Sequence, residues 1–286
     1  MKKLLTCFTF LLLLVSCEKE IDINYHEIDP MVVIEGRVTN EGTVVSLRRS
    51  RSVNDSVKSA SLPGANISIY DNGQEHHLAY DPTDGCYRSP LKGVEGHEYH
   101  MAVDFEGNHY DAYSTMPVAS SIVSTDFYWF KILDERLLVD VLCVTDPDPD
   151  QRNHFLYRID RRSSNPHITP KMQSRPYRWN VFDDRGNPPG LVFRDIHCMM
   201  ERTALDDKEE DWEKILYDGD TIMLQLHTID LTAYEYFRSL ISGQGVGANP
   251  VSNISGGCLG YFMAASVAHA DTVVLHLNEV KEYAAP

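Results

Sequence analysis

Apolar residues recur at every second position along most of the chain, the period of strands that bury one face and wet the other. In Tyr99-His100-Met101-Ala102-Val103-Asp104-Phe105 the odd positions are large and apolar, while His100 and Asp104 point the other way. Glu106-Gly107-Asn108 supplies turn chemistry and His109 to Tyr113 alternates again, which predicts a hairpin. Ala65, Ile67 and Ile69 line one face of a further strand, and 31–38 and 43–47 read as strands too. Small residues and a proline at 115–121 mark a boundary. Beyond it, 137–144 is apolar on nearly both faces, as expected of a central strand. Phe155, Tyr157 and Ile159, then Ile222, Leu224 and Leu226, and lastly Val273, Leu275 and Leu277 mark others.

One stretch has a helical period instead. Asp230 suits an N-cap, and Leu231 to Ser242 places Tyr234, Phe237, Leu240 and Ile241 along one stripe. Gly243 is available as a left-handed residue to end it. The prolines within 163–190 make that segment poor strand material and predict a surface loop. Tyr177 and Trp179 on that loop are candidate binding residues, because exposed aromatics on long loops often bind. The expected fold is mainly β. A prealbumin- or Ig-like β-sandwich spans 30–117, and a larger β-rich domain spans 122–286 with its short helix at about 231–242.

The start of the chain breaks the pattern. Lys2-Lys3 precede an apolar run from Leu4 to Val15, too short to span a bilayer stably, and Ser16 sits directly before Cys17. That order resembles a bacterial lipoprotein signal. It implies a leader over 1–16, an acylated Cys17 as first mature residue, and a tether over 17–29. The acidic residues just after the cysteine resemble the surface-export signal of Bacteroidota lipoproteins, with Lys19 interrupting the run. No later stretch approaches the roughly 20 apolar residues of a spanning helix. The membrane link is therefore the lipid, several chains of which hold firmly where one anchors only marginally.

Charge narrows the choice of partners. The whole chain carries −16, and the leader holds two of the lysines and no carboxylate, so the mature chain is more negative still. Nucleic acid and anionic lipid surfaces are disfavoured. Cys86, Cys143, Cys198 and Cys258 are dispersed, with no C-x-x-C pair for zinc or redox work. An exported protein permits disulfides without this one needing them, so thiols and bridges both stay open.

The candidate chemistry is thin. His97-Glu98-Tyr99-His100 spaces its histidines three apart in a strand, where the zinc-protease motif needs them four apart on a helix. Asp146, Asp148 and Asp150 resemble the first ligands of a calcium loop, but Gln151 and Tyr157 replace its glycine and closing glutamate. They stand as weak metal candidates on a surface turn. The run 206–213 reads as a solvated acidic face. His197 and Cys198 are neighbours that diverge on a strand, and the glycines at 243, 245 and 247 follow a helix rather than lead into one. No nucleophile elbow appears. No cofactor and no catalytic residue are expected.

Several stretches in order carry a family resemblance: Cys17-Glu18-Lys19-Glu20-Ile21, Val32-Val33-Ile34-Glu35-Gly36, Pro63 to Ile69, Gly85-Cys86-Tyr87, and Gly96 before Tyr99. Later come Gly219-Asp220-Thr221-Ile222, Tyr234 to Phe237, Asn249-Pro250, Ser252-Asn253-Ile254 with Gly256-Gly257, and Gly260-Tyr261-Phe262. Together they resemble the Bacteroidota lipoproteins classed as domain of unknown function 4249. Pro63 to Ile69 and Gly85 also resemble the prealbumin-like sandwiches of carboxypeptidase regulatory domains. The resemblance implies an outer-membrane lipoprotein, held through acylated Cys17 and facing outward. It further implies a non-enzymatic accessory or binding subunit of a TonB-dependent receptor, with no catalytic residues to carry over and the ligand unspecified. A structural, adhesin-like envelope protein without a small ligand is the alternative, and a hydrolase assembled only by the fold is a third.

Overall fold

The structure is a computed structural model describing residues 29–51, 59–132, 135–166, 176–187, 190–200, 216–243 and 248–283. The expected leader, Cys17, the tether up to residue 28, the acidic run at 206–213 and glycines 245 and 247 lie outside the described residues. The first part of the chain forms β1 (Val32–Thr39), β2 (Gly42–Arg49), β3 (Asn66–Asp71), β4 (Gln74–His77), β5 (Ala79–Asp81), β6 (Cys86–Ser89), β7 (Glu98–Phe105) and β8 (Asn108–Thr115). Next come β9 (Ile122–Ile132), β10 (Glu135–Thr145), β11 (His154–Arg162), β12 (Pro176–Asp183), β13 (Leu191–Met200) and β14 (Thr221–Ile229). The helix α1 (Leu231–Gly243) precedes β15 (Leu259–His269), β16 (Val273–Val274) and β17 (Lys281–Glu282).

The predicted hairpin is β7–β8. Phe105 pairs with Asn108, and Glu106 and Gly107 between them take φ of 50° and 79°. Positive φ at both central residues gives the turn whose twist matches that of the flanking strands. Tyr99, Met101 and Val103 are fully buried, as the alternation requires.

Among the described residues the strands associate into three sheets. One has nine strands, in the order β12-β11-β14-β15-β1-β2-β6-β5 with β16 beside β14; the others run β13-β10-β9-β17 and β4-β3-β7-β8. Pleating sorts the side chains of the large sheet. Ile34, Val38, Val45, Leu47 and Phe262 share a core with Ile67, Ile69, Tyr99, Met101 and Val103 of the β4-β3-β7-β8 sheet. Phe155, Tyr157, Ile159, Leu224 and Leu226 share a second core with Trp129, Leu138 and Leu142 of the β13-β10-β9-β17 sheet. Strand register puts both sets on one face, so the two smaller sheets cover the same side of the large one. Each large side chain buried there contributes about 1.5–3 kcal/mol relative to exposure.

The helix covers part of the opposite face. Tyr236 and Phe237 pack against Leu156, Val181, Ile229 and Met263. Asp230 caps it: its Oδ1 accepts from the Ala233 N–H and the Thr232 hydroxyl, both at 2.9 Å. Gly243 closes the helix without a positive φ; glycine is needed because a Cβ would lie 2.7 Å from the Ala248 carbonyl oxygen.

Two expectations change. The 163–190 segment contains β12, whose proline stands at its first position, where no ladder donor is demanded. The last expected strand shrinks to Val273–Val274, and Leu275 continues as buried irregular chain. Residues 31–286 form one compact unit. The reason is topological: β15 pairs in parallel with β1, Val33 opposite Leu259 through Thr39 opposite Ala265, and so joins both segments in one sheet.

Candidate functional site

Because α1 covers only part of its face of the large sheet, strand alternation determines what the uncovered part displays. On β1 the buried Ile34, Gly36 and Val38 alternate with Glu35 and Arg37. Arg37 stands opposite Met263 on β15 and Val44 on β2, and Val44 stands opposite Arg88 on β6. Two strands further on, Arg158 faces Gln225, and His227 faces Val267. These side chains, with Glu41 and Lys92, line a cleft of about 540 Å³. Clefts of this size hold small ligands.

The cleft inverts the charge of the protein around it. Among the described residues, Arg37, Arg88, Lys92 and Arg158 line it against a single carboxylate, Glu41, which hydrogen-bonds His269. Arg88 is held by Asp84, whose carboxyl it keeps below the usual carboxylate range. Arg158 donates to Asp160 Oδ1 from Nε and Nη2, at 3.0 and 2.8 Å. Arg37 and Lys92 have no ion pair or side-chain hydrogen bond among the described residues. His227 is 7% exposed and its Nδ1 is buried with no hydrogen-bond partner among them. Burial, aided by the nearby positive charges of Arg37 and Arg158, pushes its imidazole down to about 3. The histidine therefore sits neutral among cations.

The residues singled out from sequence do not converge on one site. Trp179 lies opposite Arg158 across β11–β12 and turns the edge of its ring to Phe237 of α1, at 5.6 Å between centroids. A bulge between Ile159 and Asp160 puts Tyr177 on the opposite face, against the second core and under the Arg161 guanidinium at 4.9 Å. Both rings are half-buried in packing, and neither is among the residues that line the cleft. Asp146 and Asp148 serve a turn: Asn153 Nδ2 donates to Asp146 Oδ1 and to the Asp148 carbonyl, and Asp148 Oδ1 accepts from the Asp150 N–H. No group of three or more potential metal ligands converges among the described residues. Cys86, Cys143 and Cys258 are free thiols.

A second polar surface lies on the outer face of β4-β3-β7-β8. The rings of Tyr70, His100 and Tyr113 stack in a cross-strand row, with centroid spacings of 5.2 and 4.4 Å. His100 pairs with Asp111 at 2.7 Å, and His109 bridges Asp104 at 2.6 Å and Asp111 at 2.9 Å. These carboxylates raise the His109 imidazole above its ordinary value, Asp104 first. His97 instead turns to Asp71 at 2.8 Å. Every imidazole in this row or beside it thus has a carboxylate of its own, which reads as a sheet ladder rather than a vacant site.

Arg37, Arg158 and His227 escaped the sequence reading because each occupies an ordinary wet position of its own strand. Only the pairing of β1 with β15, and of β14 with β11, brings them together.

The sequence pattern of the family Domain of unknown function (DUF4249) matches residues 18–271. This chain belongs to that family. In this DUF4249 protein the stretches that carry the resemblance serve the fold. Asn253 binds both backbone groups of Phe262, Tyr87 Oη bridges the Ala65 N–H and the Leu62 carbonyl, and the buried Asp220 carboxylate gathers Ser163, Ser164 and Tyr217. No curated protein matches the chain. No helix among the described residues is long and apolar enough to cross a membrane.

Proposed function

We propose that this DUF4249 protein is a Bacteroidota outer-membrane lipoprotein, anchored through acylated Cys17 and facing outward. It serves as a non-enzymatic binding subunit beside a TonB-dependent receptor. The observation that carries the binding role is the open cleft on the uncovered face of the nine-stranded sheet, with Arg37, unpaired among the described residues, inside it. The anchor and the receptor rest on the leader and the family resemblance. A lipid anchor would confine the protein to the plane of its receptor and raise its effective concentration, so that a weak contact stays occupied.

Affinity purification of the lipidated chain from its own membranes tests this reading. A stoichiometric β-barrel receptor supports it; other envelope proteins without a receptor favour the structural alternative. Turnover of a glycan or peptide by the pure chain favours a hydrolase. Cys17→Ala should release the protein or leave the uncleaved precursor, and unchanged fatty-acid labelling refutes the anchor.

A further inference from the structure

We propose that the cleft over β1, β14 and β15 binds a phosphate-type oxyanion, with Arg37 as its central ligand and Lys92 and Arg158 as flanking cations. The proposal rests on the binding role above but not on the receptor.

Three observations carry it. First, the protein has a net charge of −16, yet among the described residues cations outnumber carboxylates in the lining of this cleft; Glu41 already binds His269, and Asp84 and Asp160 hold Arg88 and Arg158, which leaves Arg37 and Lys92 in excess. Such a concave positive spot draws anions against the surrounding field. Second, Arg37 is half-buried between Met263 and Val44, apolar residues that give it no structural partner. A guanidinium withdrawn from water without a counter-charge is costly, and an anion arriving there relieves that cost. Third, the floor holds the buried His227, whose Nδ1 lacks a hydrogen-bond partner among the described residues.

Geometry favours phosphate. A guanidinium presents two parallel N–H donors to two oxygens of one anion, and a tetrahedral anion still has oxygens left for Lys92 and Arg158. The volume of about 540 Å³ exceeds what a bare phosphate fills, so an organic body can accompany the charged group. That body can be a soluble phosphate ester or the headgroup of a lipid.

Isothermal titration of the full chain with inorganic phosphate, and separately with sn-glycerol 3-phosphate, at fixed chloride and ionic strength, tests the site. Saturable one-to-one binding is expected. Arg37→Gln should weaken it at least tenfold at a melting temperature that does not fall, with Arg37→Lys intermediate because the charge survives and the fork does not. Lys92→Gln should weaken it a few-fold. Tighter binding of glycerol phosphate than of phosphate assigns the site to a phosphate ester, and the reverse order assigns it to a free anion; co-sedimentation of the full chain with phosphatidylglycerol vesicles, lost in Arg37→Gln, makes the ester a headgroup, and its absence makes it a soluble ester. Absence of saturable binding to either probe, or equal affinity in the Arg37→Gln chain, overturns the proposal. Receptor co-purification keeps the two readings apart: phosphate binding without a receptor retains the site and removes the accessory role.

Discussion

The Asn253 side chain holds both backbone groups of Phe262: Nδ2 donates to its carbonyl at 2.7 Å and Oδ1 accepts from its N–H at 2.9 Å. Nδ2 also reaches the Thr232 hydroxyl in the first turn of α1, at 3.1 Å. One carboxamide thus plays the part of a strand partner to β15 and docks the helix. Asn253→Ala should lower stability by about 1–3 kcal/mol, the cost of stranding partly buried backbone groups. Urea unfolding measures it, and an unchanged midpoint would refute the role.

Gly260 tests the joint between the two ends of the chain. Its φ is 110°, and a Cβ there would lie 1.8 Å from the Ile34 carbonyl oxygen. Gly260→Ala must push β15 off β1, so its cost should exceed the roughly 4–5 kcal/mol that marks exceptional substitutions. Gly107→Ala is the control: φ is 79° but the space around it is open, and the left-handed conformation alone costs about 1–2 kcal/mol. Thermal unfolding followed by circular dichroism should separate the two.

Asp140 on β10 is fully buried; Thr125 donates to Oδ1 at 2.5 Å, and Oδ2 has no partner among the described residues. Burial pushes its carboxyl up from 3.8 to about 7. Between these values the folded chain holds a proton that the unfolded chain has lost, so this group makes stability fall as pH rises from about 4 to 7. The slope is about 1.4 kcal/mol per pH unit. Asp140→Asn should remove that contribution and stabilise the protein at pH 8, as read by denaturant unfolding across pH.

His227 works in the opposite direction. Its imidazole falls from 6.5 unfolded to about 3 folded, so below pH 6.5 the unfolded chain gains a proton that the folded chain refuses. Stability is lost as pH falls from 6.5 towards 3, again by about 1.4 kcal/mol per unit. Between pH 4 and 6.5 the two groups offset each other. His227→Gln should therefore leave a curve that falls with rising pH in that window, and Asp140→Asn one that rises. Two variants with slopes of the same sign would sink both assignments.

Elements set by neighbouring residues were legible in the sequence. The β7–β8 hairpin follows from strict alternation and a two-residue turn, and α1 from a capping aspartate and one apolar stripe. β12 was missed because its prolines outweigh its alternation, and because a bulge sends Tyr177 and Trp179 to opposite faces. The nine-stranded sheet was illegible for a different reason: side chains do not encode a parallel pairing between remote strands. The cleft inherits that limit, since Arg37, Arg88, Lys92 and Arg158 reach it from separate parts of the chain.

Asn40 and Val267, 227 residues apart, exchange two hydrogen bonds where β1 lies along β15. A ribosome delivers β1 (Val32–Thr39) long before β15 (Leu259–His269). Throughout synthesis, then, one border of the earliest strand is an open template for any passing β segment, the hazard of an unpaired edge. Closure must wait until every residue between β1 and β15 has been made, and so non-local a pairing slows folding. A chain cut short before residue 259 would keep that border bare, and aggregation rather than a stable half-protein is what it should yield.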